Sequence, residues 1–403
     1  MSVAQNIKRV VRNPLSQTAL SILDKMYVYL STKQLYSEII KFDFTAADLE
    51  ANRTCIEFGK KFDKKPESAI WFVPAFKQKF AGISTIFKIA GYLSSNGIKQ
   101  HFVFLGDAIF AKQNGADVLE GNHGTELKNS EISINPNLKS LKHADVAFGT
   151  RWDTVYSLMK FNNVYKKVYL IQDDERLFYP AGELRSLAEE IYRFGFLGIT
   201  NSMSLRDMYI NEFGGECYYF FQPINEAFFS SRQRDITKIK KIWFYSRKRV
   251  KRNGFALGIL GLREIKRRHP EVEIVFAGDN TTKPKDFTYK DFGYLNMDTY
   301  KKLLDDSDVG LYFIFSNHPG IIPFENMARS CITITNRRFK NSELKDSYNC
   351  IMCDPTPSSV ADAFDKIFYD NKLRKNIINN GLKTVRSKFG GNYTEVMDSV
   401  FKL

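Results

Sequence analysis

The chain is short of cysteine, of early glycine and of long apolar runs, and each shortage closes off a class of protein. Five cysteines in 403 residues (Cys55, Cys217, Cys331, Cys350 and Cys353) are too few, and odd in number, for a disulfide framework. Cys350 and Cys353 have the spacing of a redox motif or half a zinc site. No second pair and no nearby histidine accompanies them, so buried structural thiols are the expectation. No stretch reaches the ~18–20 consecutive apolar residues of a membrane span. Lys8, Arg9 and Arg12 are followed by Asn13 and Pro14 rather than by an apolar run, which reads as cytoplasmic rather than secreted. No glycine precedes Gly59, and no repeat or low-complexity segment is visible.

What is present fits a folded chain. Hydrophobic residues are 43% and charged residues 26%, proportions that support sizeable cores and argue against disorder. The length suits two or three domains. Lys and Arg number 59 against 45 Asp and Glu, a net charge of +14. That excess favours anionic partners: nucleic acid, phosphate-bearing ligands or an acidic membrane surface. The 14% aromatic content could serve base stacking. The aromatics instead fall in strand-like runs such as Phe102-Val103-Phe104 and Tyr312-Phe313-Ile314-Phe315, which reads as core.

Residues 1–65 read as a polar, mainly helical extension, with apolar spacing over 20–30 and 35–40. The pattern then changes. Short apolar strands are expected at 70–74, 101–105, 146–150, 167–172 and 197–200. Helices fall between them, one capped by Ser84 or Thr85 and one by Asn201 or Ser202. A second cycle of strands begins at 242–246 and continues at 272–277, 309–315, 331–335 and 349–353. Alternating strands and helices predict parallel sheets covered on both faces, hence an α/β fold. The expected domains are 66–235 and 236–390, with a last helix over 391–403. Ligands of such sheets bind beyond the carboxyl ends of the strands. The loops at 75–85, 150–154, 172–182, 246–253, 278–281 and 316–325 are therefore the ones to weigh.

The positive charge is concentrated. Residues 232–252 hold 10 basic side chains and 1 acid, and residues 53–99 hold 9 and 3. The first part of the former run, residues 232–241, reads as a solvated face. Arg247 to Arg252 instead lie between a strand and a helix, where guanidinium groups and free N–H groups form an anion site. A phosphate or diphosphate is the natural guest. Lys60, Lys61, Lys64, Lys65, Lys77 and Lys79 form another cluster, which reads as plain surface or as a face for lipid phosphate. Asp173 and Asp174 could suggest a metal-binding pair, but an acceptor-site or structural role fits their Asp-Asp-Glu context better. Asp305, Asp306 and Asp308 read as a helix end and loop.

Three segments resemble one family. They are Phe72-Val73-Pro74-Ala75-Phe76 with Gly82-Ile83-Ser84-Thr85-Ile86; Gln172-Asp173-Asp174-Glu175 with Phe178-Tyr179-Pro180-Ala181-Gly182; and a third running from Tyr245-Ser246-Arg247 and Arg252-Asn253 to His318-Pro319 and Pro323-Phe324-Glu325. Their order and spacing, over about residues 65–340, resemble WsaF-type rhamnosyltransferases of the retaining glycosyltransferase family 4. The resemblance implies a GT-B fold: two Rossmann-like domains facing across a cleft, with the last helix crossing back to the first domain. It implies transfer of L-rhamnose from dTDP-L-rhamnose to a growing bacterial surface glycan, such as an O-antigen on a lipid carrier. The partners implied are a nucleotide-sugar donor, a glycan or lipid-linked oligosaccharide acceptor and the inner face of the cytoplasmic membrane, with no cofactor and no metal.

Residue by residue, Arg247 and Arg252 match the cations that hold the donor diphosphate, with Lys251 as an alternative to Arg252. Glu325 matches the acid that contacts the donor ribose. Pro323 opens the helix whose N–H groups could face the phosphate. Gly293, Tyr294 and Leu295 match the loop that reads the base, and Gly82 a loop closing over the donor. The broader family carries a first Glu where this chain has Asn317. WsaF-type sequences also lack that acid and carry a His-Pro, matched by His318-Pro319, so the contact with the sugar falls to His318 or Gly320. Asp173, Asp174, Glu175 and Tyr179 are expected on the acceptor side. The rivals are the same fold with a UDP- or GDP-sugar donor, a nucleic-acid-binding protein, and a non-catalytic scaffold.

Overall fold

A computed structural model describes residues 21–22, 25–26, 43–77, 81–229, 234–279, 284–337, 343–388 and 392–403. It divides into two compact units, residues 1–51 and 52–403. The helix expected over 35–40 lies outside the described residues, as does most of that over 20–30; residues 21–22 and 25–26 are helical. Helix α1 (Ala46–Gly59) follows. Both sheets lie within residues 52–403.

The first sheet has seven strands: β1 (Ser68–Pro74), β2 (Lys99–Leu105), β3 (Glu131–Ile134), β4 (Ala144–Gly149), β5 (Val164–Ile171), β6 (Leu197–Thr200) and β7 (Cys217–Tyr219). They run in the order β3-β2-β1-β4-β5-β6-β7, and every pairing is parallel. β1 reads as a continuous apolar run because helices cover both of its faces. In register, Trp71 lies opposite Phe102 and Phe148, and its ring stacks on Phe148 at 3.9 Å. All three are fully buried, each contributing roughly 1.5–3 kcal/mol of burial.

Helices α2 (Ala81–Ser95), α3 (Ala108–Leu119), α4 (Trp152–Lys160), α5 (Glu183–Glu190) and α6 (Met203–Phe213) connect the strands. Helix α2 is already formed at Ala81, which corrects the expected caps. Ser84 and Thr85 lie inside its first turns, and the Thr85 hydroxyl bonds back to the Ala81 carbonyl at 3.1 Å. Helix α6 is capped by Ser202, whose Oγ accepts from the Leu205 N–H.

The second sheet repeats the plan with six strands: β8 (Lys241–Ser246), β9 (Glu273–Gly278), β10 (Lys290–Asp291), β11 (Val309–Leu311), β12 (Ile332–Asn336) and β13 (Ile351–Cys353). Their order is β10-β9-β8-β11-β12-β13, again all parallel. Around it lie α7 (Phe255–Arg268), α8 (Met297–Asp306), α9 (Ile322–Ala328), α10 (Pro357–Tyr369) and α11 (Asn371–Lys388). The last helix, α12 (Tyr393–Phe401), leaves this half. Its Met397, Val400 and Phe401 join the core of the first sheet. Tyr92 donates to Asp398, and Asn392 accepts from the Phe221 N–H.

Among the described residues no helix is long and apolar enough to cross a membrane. All five cysteines are free and buried. Of the solvated face expected over 232–241, Lys238 and Lys240 are exposed as expected, and Arg234 departs from it. Arg232 lies outside the described residues. Arg234 is half-buried, donating to the Ser307 carbonyl at 2.7 Å and to Asp308 at 2.9 Å. Asp308 also accepts the N–H groups of Lys240 and Lys241. A buried carboxylate at the entry to β11 needs this counter-charge.

Both sheets reverse direction of winding beside their first strand. Such switch points open crevices at the carboxyl ends of the strands. One lies between β1 and β4, the other between β8 and β11.

Candidate active site

β8 ends at Ser246, and the chain leaves it in two tight turns. The Val250 N–H donates to Arg247 O and the Asn253 N–H to Val250 O. Gly254 closes the loop at φ +58°, where a Cβ would lie 2.9 Å from Phe313 and Phe315 side-chain atoms. The Arg247 guanidinium lies over the Tyr245 ring, donates to its hydroxyl at 2.9 Å and stands 3.4 Å from Asp279. Asp279 also accepts the Arg249 N–H at 2.9 Å and the Tyr294 hydroxyl. Burial alone would raise this carboxyl. The Tyr294 hydroxyl, the Arg249 N–H and the charges of Arg247 and Arg249 outweigh it and hold Asp279 below its ordinary value.

The segment around Tyr294, expected to read the base, therefore hangs on the same carboxylate as the basic loop. Gly293 turns at φ +59°, and its carbonyl takes the Gly278 N–H at 2.8 Å. Tyr294 is exposed and Leu295 half-buried.

After β11 the chain stays extended. The Tyr312 N–H bonds to Ile334 O, and the Phe315 N–H to Arg252 O at 2.7 Å. That last bond ties the loop after β11 to the loop after β8. His318 follows, buried, with an Nδ1 that meets no hydrogen-bond partner among the described residues. Burial, helped by the nearby Arg252 charge, pushes its imidazole down to about 3, so it is neutral at physiological pH. Gly320 turns at φ +70°; a Cβ there would lie 2.4 Å from the Tyr312 hydroxyl.

Glu325 is half-buried in the first turn of α9. Burial pushes its carboxyl up to about 7, against the pull of the Tyr300 hydroxyl, which donates to it at 2.9 Å. Of the N–H groups expected to face an anion beside Pro323, two are engaged within the chain. The N–H groups of Phe324 and Glu325 both turn back onto Ile321 O, and proline has none to offer.

The opposing wall comes from the first sheet. β5 ends at Ile171, and Asp173 follows, buried. Its Oδ2 accepts from Arg252 at 2.6 Å, while Oδ1 takes the Ser316 hydroxyl and the Asp174 N–H. Burial raises the Asp173 carboxyl, against the Arg252 charge. Asp174 is gripped by the Nε and Nη2 of Arg176, both at 2.8 Å, and Asn317 donates to it at 2.7 Å. Arg252, stacked over Phe178 at 4.4 Å, thus meets Asp173 across the cleft.

Two acceptor-side expectations change on this geometry. Asp174 is almost fully buried, and its oxygens are held by Arg176 and Asn317, which leaves it structural. Glu175 is buried and turned onto the start of α4. Its carboxyl receives the Trp152 N–H at the start of α4, and its own N–H donates to Tyr192 Oη. Burial pushes it up to about 8. Tyr179 stands at the rim, edge-on to Trp152. Gly82 sits in the first turn of α2, where a Cβ would lie 3.3 Å from the Gln172 amide; residues 78–80 before it lie outside the described residues.

The structure thus gathers Arg252, Asp173 and His318 at one place, with Arg247 and Tyr294 on the Asp279 hub. Sequence reasoning missed Tyr312, Tyr245, Asp279 and Ser316. Tyr312 feels the charges of Arg252, Asp173 and Glu325 together, and its ring lies 5.5 Å from that of Tyr245. The signal was available: both tyrosines stand at or just past a strand's carboxyl end, one of them beside the basic loop.

Solved structures share this architecture. The Anabaena HepE structure in complex with UDP-glucose is covered over 100% of its chain and 83% of this one, with a TM-score of 0.63 at 14% identity. WaaG, a glycosyltransferase involved in lipopolysaccharide biosynthesis, is covered over 99% of its chain and 83% of this one, with a TM-score of 0.58 at 12% identity. The fold is GT-B. Within this GT-B chain, residues 240–365 match the model of the WsaF C-terminal domain. The O-antigen biosynthesis protein RfbC of Myxococcus xanthus is 29% identical over 372 residues, 88% of this chain. The GT-B chain spans 28% of the length of that relative.

Proposed function

We propose that the protein is a retaining glycosyltransferase that moves L-rhamnose from dTDP-L-rhamnose to a growing bacterial surface glycan, an O-antigen or a similar lipid-linked chain. The observation that carries this reading is Arg252 at the β8–β11 switch point, facing the first half across a GT-B cleft. The WsaF C-terminal-domain match and the O-antigen relative support glycan synthesis as the setting.

In this reading the donor diphosphate lies against Arg247 and Arg252. Glu325 takes the ribose hydroxyls, the backbone at Gly293–Leu295 meets the base, and Gly82 lies on the opposite wall. Neutral His318, with its unpartnered Nδ1, meets a sugar hydroxyl beside Gly320. The acceptor hydroxyl attacks the anomeric carbon on the face from which the nucleotide leaves. The bond from that carbon to the phosphate oxygen breaks as the new glycosidic bond forms, and the departing phosphate oxygen takes the acceptor's proton. Cations fixed before the reaction stabilise the charge that develops on the leaving group. The exposed Lys60, Lys61, Lys64, Lys65 and Lys77 supply a surface for lipid phosphate at the inner face of the cytoplasmic membrane.

The test is mass spectrometry of products from dTDP-, UDP- and GDP-sugar donors, with and without EDTA. Transfer from dTDP-rhamnose, unaffected by the chelator, is the expected result. Transfer only from a UDP- or GDP-sugar would move the donor assignment. Tight, salt-sensitive binding of RNA without transfer would favour the nucleic-acid reading.

A further inference from the structure

Among the described residues Arg252 has one charged partner, and it is a carboxylate. Its Nη1 donates to Asp173 Oδ2 at 2.6 Å, and its plane lies over Phe178. The Arg252 side chain remains 23% exposed, and among the described residues only its Nη1 donates a hydrogen bond. Carboxylate and phosphate bind guanidinium through the same N–H groups and with the same planar geometry. Asp173 is itself firmly placed. Its second oxygen is held by Ser316 and by the Asp174 N–H, so it keeps two hydrogen bonds if Arg252 turns away.

We propose that Asp173 is an internal competitor for the donor diphosphate. Its carboxylate and the phosphate are alternative partners of Arg252, so Asp173 sets nucleotide affinity lower than Arg252 alone would give. A donor site with a free arginine would hold the spent nucleotide as tightly as the donor, and such uniform binding adds nothing to turnover. A carboxylate that reclaims the arginine favours departure of the product. The inference rests on Arg252 as a phosphate ligand.

The experiment measures affinity for dTDP and for inorganic pyrophosphate by calorimetry in four proteins: wild type, Asp173→Asn, Arg252→Ala and the double variant. Asp173→Asn is expected to bind both probes about three- to tenfold more tightly, the scale of one partly exposed ion pair. Arg252→Ala is expected to bind them more weakly. The double variant should match Arg252→Ala, because no cation remains to be released. Weaker or unchanged binding by Asp173→Asn, beside a weakened Arg252→Ala, overturns the competitor and leaves the donor site standing. Unchanged binding by Arg252→Ala overturns both. Should Asp173→Asn fail to fold by circular dichroism, Asp173→Ser keeps a hydroxyl towards Ser316 without the charge and carries the same expectation.

Discussion

Two adjacent aspartates meet two arginines, and the two pairs are built to opposite ends. Asp174 and Arg176 belong to the same half of the molecule. Their contact is bidentate, Glu212 takes another edge of the guanidinium at 2.8 Å, and the rings of Tyr192 and Phe213 flank it. Asp173 and Arg252 come from opposite halves and share a single hydrogen bond. The Arg176 side chain is 11% exposed and that of Arg252 23%. The first pair is a closed structural unit, with all three guanidinium nitrogens engaged. The second leaves its arginine open to another anion. Sequence neighbours of identical chemistry thus divide between holding the loop and serving the cleft.

The comparison breaks most visibly if each arginine is removed. Arg176→Ala leaves a deeply buried carboxylate without its counter-charge, a defect that costs about 3–5 kcal/mol. The expected outcome is a large drop in the denaturation midpoint, with near-normal activity per folded molecule. A stable, inactive Arg176→Ala would reverse the roles assigned to the two pairs.

Arg252→Ala should do the opposite. Transfer falls by more than about tenfold, because one fixed cation no longer faces the leaving phosphate. Stability falls by only about 1–2 kcal/mol, since Asp173 keeps its bonds to Ser316 and to the Asp174 N–H. Steady-state kinetics beside a urea melt separates the two effects, and full activity in this variant would sink the proposed role.

Much of the scaffold behind this contrast was legible. The runs at Ile70–Val73 and Val168–Ile171 are buried on both sides, so their apolar character shows without any pattern of alternation. β3, β7 and β10 were not foreseen. They are edge or near-edge strands of 4, 3 and 2 residues, too short and too polar to stand out. Arg252 was legible as a cation after a strand, and Glu325 as an acid opening a helix. What could not be read was the pairing. Asp173 and Arg252 are 79 residues apart, and their meeting depends on how two separately wound sheets face each other. Glu175, expected on the acceptor side, instead takes the Trp152 N–H at the start of α4, a contact between two loops of its own half, 23 residues apart. Local sequence carries the strand ends but not which loop lies opposite.

A milder way to sharpen the comparison is to titrate the open side of the cleft. Glu325 reaches a carboxyl value of about 7 in the folded protein, so it is protonated below that pH and ionised above it. A carboxylate accepts ribose hydroxyls more strongly than a carboxylic acid does. Donor affinity should therefore rise severalfold as pH increases from about 6 to 8, and Glu325→Gln should flatten that rise at the low-pH level. A pH-independent donor affinity in the wild type would remove Glu325 from the donor site.

The smallest expected effect lies one contact further back. The Tyr300 hydroxyl donates to Glu325 at 2.9 Å and favours the ionised carboxyl, opposing the larger effect of burial. Tyr300→Phe removes that bond and leaves the ring against Trp243 and Phe228, so packing is preserved. With burial unopposed, the midpoint of the donor-affinity profile should move to higher pH. The size follows from one hydrogen bond to a charged group, about 1.5–3 kcal/mol at most. At pH 7 this appears as a several-fold weaker donor, and by pH 9 the difference should narrow as Glu325 ionises in both proteins. A uniform loss at every pH would instead mean that Tyr300 positions Glu325 mechanically. That outcome would make the open side of the cleft as rigidly built as the Asp174–Arg176 pair.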